Sequence, residues 1–302
     1  MYKRQAKDLL DFASLPTSDL VASYAKNIGS TRSKGYEFAL KGIIIEKKDL
    51  DWTAYMNLSH NHSYWVERNP EVSLSPWIKE KDDMNPLYGW RTNGIFHSLE
   101  EVRNYKSNGQ VLQPDALPGN KKYVDVNGDG KLNADDVVYF GNSEPALNFG
   151  FGTSVRFKSF TLDIDTYGSI GQKRWDNWIF RSLCVDKNNT SRKAYEVWTS
   201  FNPNGNWPGI AADVTGDNNP SGSSDFGMKN VSYWRFKNIK LTYDLPRNWL
   251  QRNKLGQSAQ VYLDLQNTLM LTNYAGLDPE MEQNAAPFPI PFTMVFGVNI
   301  TF

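Results

Sequence analysis

The stretch Phe292-Thr-Met-Val-Phe-Gly-Val-Asn-Ile-Thr-Phe302 constrains the fold more than any other part of this chain. Phe292, Met294, Phe296, Val298, Ile300 and Phe302 occupy every second position, and Thr293, Val295, Gly297, Asn299 and Thr301 lie between them. Successive side chains of a strand point to opposite faces, so this is a ribbon with one apolar face and one small or polar face. At roughly 3.3 Å per residue it is long enough to cross a bilayer at a tilt. It stops on an aromatic residue, as the last strand of an outer-membrane barrel does. A strand of a soluble sandwich is the competing reading.

The same pattern recurs upstream, in pairs. Tyr36, Phe38 and Leu40 alternate with Glu37, Ala39 and Lys41. The turn-like Lys47-Lys-Asp-Leu-Asp51 follows, and then Trp52, Ala54, Met56 and Leu58 alternate with Thr53, Tyr55, Asn57 and Ser59. A hairpin is expected. In a second hairpin Phe149, Phe151, Val155 and Phe157 face away from Gly150, Gly152, Ser154 and Arg156. Lys158-Ser159 makes its turn, and Phe160, Leu162 and Ile164 then oppose Thr161, Asp163 and Asp165. Two carboxylates on one strand face cannot lie against lipid, so that face looks into water. The span Tyr233–Tyr243 shifts its apolar phase between Phe236 and Ile239, which suggests a bulge or a strand buried on both faces for part of its length. Ala259, Val261, Leu263 and Leu265 face away from Gln260, Tyr262, Asp264 and Gln266 in the next strand, and the terminal strand closes the set. Asp244-Leu-Pro246 and Leu277-Asp-Pro-Glu280 mark chain reversals. Residues 1–32 are mixed, with a short helix expected near Ala6–Phe12. Residues 171–226 read as a long polar loop holding a Trp-rich, helix-like piece from Trp175 to Trp198. Short turns at one end and long loops at the other are the asymmetry of outer-membrane barrels.

Composition narrows the function classes. Lys+Arg and Asp+Glu both number 33, so the net charge is zero, and neither nucleic acid nor anionic headgroups are indicated as partners. Aromatic residues make up 14% of the chain, enough to furnish the interfacial girdles of a barrel. A mean hydropathy of −0.56 does not exclude a membrane protein, because lipid-facing and lumen-facing residues average out in a barrel. No apolar run approaches the ~18 residues of a membrane helix. The opening Met1-Tyr-Lys-Arg-Gln-Ala-Lys-Asp8 lacks the apolar core of an export signal. An exported chain of this kind is therefore expected to be a piece of a longer protein. Cys184 is the single cysteine, which excludes an internal disulfide.

One motif carries metal chemistry. In Asp125-Val-Asn-Gly-Asp-Gly-Lys-Leu-Asn-Ala-Asp-Asp136, oxygen side chains fall at loop positions 1, 3, 5, 9 and 12: Asp125, Asn127, Asp129, Asn133 and Asp136. Gly130 sits where the sharp turn needs it, and Lys131 would offer its carbonyl. This is the spacing of a calcium loop of the EF-hand type, with Asp in place of the usual bidentate Glu. The role expected is structural, because Val137–Phe140 reads as the start of a strand where a sensor would have a helix. His60 and His62 are expected in a loop just past a strand end, and no Ser/His/Asp grouping suggests catalysis. Asp163 and Asp165 read as lining. Trp175, Trp178, Trp198 and Trp207 could stack on sugar rings, with loop packing as the alternative.

The ordered segments Lys34-Gly-Tyr-Glu37, Leu87-Tyr-Gly-Trp-Arg-Thr-Asn-Gly-Ile-Phe96, Pro118-Gly-Asn-Lys-Lys-Tyr-Val-Asp-Val-Asn-Gly-Asp-Gly130 and Trp234-Arg-Phe-Lys-Asn-Ile-Lys-Leu-Thr-Tyr-Asp-Leu-Pro246 resemble one family. With Val261–Asn267, Gly276-Leu-Asp-Pro-Glu280 and the terminal Phe302, they are similar to the SusC/RagA-like TonB-linked outer-membrane transporters of Bacteroidetes. The likeness covers about residues 27–302 and maps onto the C-terminal part of such a transporter, without its plug domain or TonB box. It implies an all-β antiparallel transmembrane barrel segment in the cell outer membrane, surrounded by lipid. It also implies import of bulky nutrients such as oligosaccharides or peptides, powered through TonB and assisted by a SusD-like lipoprotein, with no enzymatic activity. Under that resemblance Phe292, Met294, Phe296, Val298, Ile300 and Phe302 are the signal read by the barrel-assembly machinery. The rival from another class is a secreted, calcium-stabilised β-sandwich that binds carbohydrate.

Overall fold

The computed structural model describes residues 2–14, 23–69, 74–79, 81–176, 192–209, 224–281 and 288–302. The chain begins with three long strands, β1 (Tyr2–Ser14), β2 (Ser23–Lys47) and β3 (Leu50–Arg68). A run of short elements follows: β4 (Pro86–Trp90), β5 (Thr92–Ile95), helix α1 (Leu99–Asn104), β6 (Lys106–Ser107), β7 (Gln110–Val111), β8 (Lys121–Tyr123) and β9 (Val137–Asn142). Then come β10 (Leu147–Phe157), β11 (Phe160–Ile170), β12 (Lys173–Trp175), β13 (Met228–Asn230), β14 (Tyr233–Asp244), helix α2 (Arg247–Arg252), β15 (Ser258–Thr272) and β16 (Thr293–Thr301).

Eight of these strands form one antiparallel meander in the order β1-β2-β3-β10-β11-β14-β15-β16. The eight strands pair in chain order, and at one end β2–β3 and β10–β11 are joined by two-residue turns while residues 245–257, which carry α2, join β14 to β15. The β2–β3 turn is Lys48–Asp49, and the β10–β11 turn is Lys158-Ser159 with Lys158 at φ 54°. At the other end residues 69–146, 171–232 and 273–292 separate the strands. The expected asymmetry of turns and loops is thus present. β10 and β11 are 11 residues each, close to the ~9–11 residues that a tilted membrane strand needs.

The bulge expected from the phase shift of β14 is found. Lys237 is the extra residue of β14 against β11, and against β15 the register slips between Phe236 and Asn238, where Lys237 stands opposite Asn267 and Thr268. Against β11 the slip falls opposite Asp165 and Thr166. β9 begins at Val137, as its sequence suggested.

Two expectations are corrected. The start of the chain is not helical: Tyr2–Ser14 is strand β1, paired with β2 from Tyr2↔Gly35 to Ser14↔Ser23. His60 and His62 do not lie past a strand end, because β3 runs on to Arg68 and pairs them with Tyr36 and Lys34. The Trp-rich piece starts as strand at Trp175 and ends in a 3-10 turn, Arg192–Glu196, while residues 177–191, including Trp178 and Cys184, fall outside the described residues.

Among the described residues the large sheet has almost no apolar core. Of the buried apolar side chains only Ala259 belongs to it. Ile95, Phe96, Val102, Ala116, Tyr123, Val197, Trp207 and Val231 all belong to the segments at the long-loop end, where Val197 and Trp207 form one small core and Phe96, Val102 and Ala116 another. Among the described residues no second large sheet exists to cover the first.

Candidate functional site

Strand register sorts the sheet into two faces of opposite character. On the outer face, cross-strand neighbours run Trp52, Val155, Leu162, Leu241, Leu263 and Phe296 across six strands. A second row runs Leu40, Met56, Phe151, Thr166, Phe236 and Leu269. Apart from the buried Thr166, these side chains are exposed or half-exposed, with Leu40 at 56%, Leu241 at 45% and Phe296 at 70%. An apolar face this wide is far larger than a soluble monomer leaves in water.

The inner face is polar in the same register. One row is Tyr55, Gly152, Asp165, Asn238 and Gln266, and the next is Thr53, Ser154, Asp163, Lys240 and Asp264. The Tyr55 hydroxyl donates to Asp165 at 2.8 Å, and Arg156 Nε donates to Asp51 at 2.7 Å. The Lys240 ammonium lies 4.6 Å from the centre of the Tyr262 ring. Asp163 and Asp165 are thus part of a wet lining.

Aromatic side chains mark both ends of the outer face. Phe149, Phe151, Trp234 and Phe236 cluster at the long-loop end, with neighbouring ring centres 5.4 to 6.4 Å apart. Phe160 and Tyr243 pair at the short-turn end, 4.7 Å apart. Phe149 and Phe157 are eight residues apart on β10, about 26 Å of strand, which matches an apolar band of about 25 Å once tilt shortens it slightly.

The loop at 125–136 closes on itself. The Asp125 carboxylate accepts the backbone N–H groups of Gly128 and Gly130, each at 2.7 Å. Asp136 is fully buried and accepts from Val126 at 2.8 Å, from Asn133 at 2.9 Å and more weakly from Asn127 at 3.4 Å. Asn127 and Asn133 turn their amides onto Asp129, each at 3.3 Å. Gly130 takes φ 87°, the left-handed conformation its position demands. The Ser107 hydroxyl, opposed by desolvation and helped by the N–H groups of Gly130, Gly128 and Asp129, holds the Asp125 carboxyl below the usual range. Among the described residues no three His, Cys, Asp or Glu side chains are gathered as a metal cage.

The tryptophans differ in how much ring they leave open. Trp207 is 8% exposed in a small core with Val197, Ala194 and Phe226. Trp198 is half-buried against Gly119, where an added Cβ would sit 2.6 Å from the ring. Trp175 is half-buried and meets Phe140 edge-on at 6.0 Å.

A network that sequence reading did not anticipate lies on the inner face at the long-loop end. Arg235, 3% exposed, donates through Nη2 to both oxygens of Asp278 at 2.8 and 2.7 Å, and through Nε to Glu280 at 2.5 Å. Glu280 also accepts the hydroxyls of Tyr167 at 3.0 Å and Tyr233 at 2.9 Å. The partners are 43 and 45 residues apart in sequence. The available signal was an arginine in a wet-facing position together with an Asp-Pro-Glu reversal, but the pattern alone does not join them.

Comparison with known proteins gives a consistent picture. No family model matches the chain. It is 25% identical to TonB-dependent receptor P3 of Formosa agariphila, over 92% of this chain and 28% of that protein. It is likewise 25% identical to TonB-dependent receptor SusC of Bacteroides thetaiotaomicron, over 100% of this chain and 29% of that protein. In fold it matches the RagAB peptide importer in its closed-closed state with a TM-score of 0.74 and 23% identity, over 98% of this chain and 32% of that one. The chain thus spans about a third of the length of the proteins it matches. Over nearly its full length the chain is similar in sequence to TonB-dependent receptors, SusC among them, and in fold to the RagAB importer.

Proposed function

We propose that this chain is a wall segment of an outer-membrane, TonB-powered importer of bulky nutrients such as oligosaccharides, working with a SusD-like lipoprotein. The observation that carries this reading is the sheet itself: an exposed apolar face banded by aromatics, backed by a polar face of the same register. Lipid is the solvent that such a face requires, and water or a hydrophilic solute suits the other. Among the described residues the outer edges of β1 and β16 are unpaired and would require further strands, because backbone N–H and C=O groups cannot be left open in hydrocarbon. The relatives, named as receptors and an importer, are transport proteins.

The same reading gives roles to other residues. Phe292 to Phe302 presents the assembly machinery with its alternating apolar positions. Calcium would be held by Asp125, Asn127, Asp129, Asn133, Asp136 and the Lys131 carbonyl, after Asp129 and the two asparagines exchange their mutual hydrogen bonds for the ion. It would supply cross-linking of the loop and no chemistry. Trp175 and Trp198 keep more ring surface for a sugar than Trp207 does.

Fractionation of the full-length gene product, carrying an epitope in the 171–226 loop, tests the proposal. The product is expected in the outer-membrane fraction with its epitope at the cell surface. A soluble pool extracted without detergent would retire the reading in favour of a secreted carbohydrate-binding protein.

A further inference from the structure

The segment Gly276–Met281, between β15 and β16, is held from two sides. From the wall, Arg235 of β14 binds Asp278 and Glu280, and Tyr167 of β11 and Tyr233 of β14 bind Glu280. From the loop side, Arg174 of β12 donates through Nη1 to the carbonyl oxygens of Pro279 at 3.1 Å and Met281 at 2.7 Å. Its guanidinium also lies 5.3 Å from the centre of the Tyr274 ring. β12 is paired to β13 through Lys173↔Asn230 and Trp175↔Met228, and Asp176 N–H donates to Gly227 at 2.7 Å. The segment is shaped for this position, since Asp278 also accepts the N–H groups of Glu280 at 3.0 Å and Ile290 at 3.4 Å.

We propose that Gly276–Met281 is a clamp that fixes the β12–β13 ribbon of the loop layer to the inner wall, with Arg235 and Arg174 as its two anchors. The chemistry suits a fixed joint. One planar guanidinium serves two carboxylates at once, which a lysine ammonium cannot do with the same geometry. The Arg235 and Asp278 side chains are 4% and 3% exposed, so water does not compete for the pair. Tyr167 and Tyr233 occupy both Glu280 oxygens, and the carboxylate has little freedom to change partners. The β12–β13 ribbon therefore moves with the wall as one body. It is a platform, and any flap of the mouth lies elsewhere. Arg235 is a positioning residue in this account, and the clamp does not depend on what is transported.

Hydrogen exchange read by mass spectrometry on the full-length protein in detergent tests the clamp. Arg235→Met is expected to raise exchange at least tenfold in peptides covering 276–281 and also in those covering 173–175 and 228–230. Peptides from the β10–β11 hairpin, 151–163, are expected to stay at the wild-type rate. Arg235→Lys should fall between. Faster exchange in 276–281 alone would overturn the proposal, because the segment would then be tied down without coupling the ribbon. Unchanged exchange everywhere would overturn it too. If Arg235→Met also loosens the hairpin, Glu280→Gln becomes the deciding variant, since it leaves the Arg235–Asp278 pair in place. A rise of about threefold in both regions supports the clamp, and no rise contradicts it.

Discussion

Gly152 and Gly297 show how single residues set the inner face. Each lies directly across from a tyrosine, Tyr55 and Tyr262, whose ring folds over it. A Cβ at Gly152 would sit 2.1 Å from the Tyr55 ring, and one at Gly297 would sit 2.3 Å from the Tyr262 ring. Gly152→Val is therefore expected to displace Tyr55 from Asp165 and to destabilise the full-length protein by about 1–3 kcal/mol, measured by denaturant unfolding in vesicles. Arg235 is the costlier position: removing one partner of a buried ion network strands the others, at about 3–5 kcal/mol. Asp125 makes a pH prediction. Its folded-state pKa is depressed, so its contribution is present above the usual aspartate value of about 3.9 and is lost as pH falls through the lower folded value. Anisotropy of a fluorophore at the exposed Val126 should stay constant down to about pH 4 and drop only below it; loosening already at pH 5–6 would contradict this account.

At the scale of elements, what could be read from the sequence depended on periodicity. The β10–β11 hairpin was legible because strict alternation brackets Lys158-Ser159, and the bulge was legible because the apolar phase of β14 breaks near Lys237. β1 was not legible. Ala6, Leu9, Leu10 and Ala13 have near-helical spacing, and the strand exists because β2 offers a paired edge, with two register shifts absorbing the misfit. The Ser59–Ser63 run of β3 is polar on both faces and gives no alternation, yet it stays extended by pairing with β2 beyond the last β10 partner, Asn148↔Ser59. The clamp was hidden because its partners come from three separate elements. Inserting one alanine between Lys240 and Leu241, where the ladders to β11 and β15 are regular, should move one half of β14 out of register and turn its apolar set inward. The assembled, heat-modifiable form of the full-length protein is then expected to disappear from gels, whereas Lys237→Ala should assemble normally. On β16, Phe296→Lys places a charge against lipid and should cost about 2–4 kcal/mol, while Asn299→Lys faces water and should be tolerated.

For the whole molecule, apolar residues of the large sheet are outside and polar ones inside, while the small apolar cores sit in the loop layer. That inversion is what makes lipid the expected surroundings. Composition did not show it, since its charges balance and its mean hydropathy is that of a soluble chain. The sheet has two unpaired edges among the described residues, so these 302 residues alone should aggregate in buffer and conduct nothing in a planar bilayer. A monomeric, channel-forming preparation of the isolated chain would contradict that expectation. The most direct test of the two-faced wall is spin-label accessibility on the full-length protein in lipid, with Cys184 replaced by Ser. Labels would be placed singly at Met56, Leu241 and Phe296 on one face, and at Asn57, Thr242 and Asn299 on the other. The first three are expected to collide with oxygen dissolved in the bilayer and the second three with a water-soluble nickel chelate. Equal access to the chelate on both faces would contradict it.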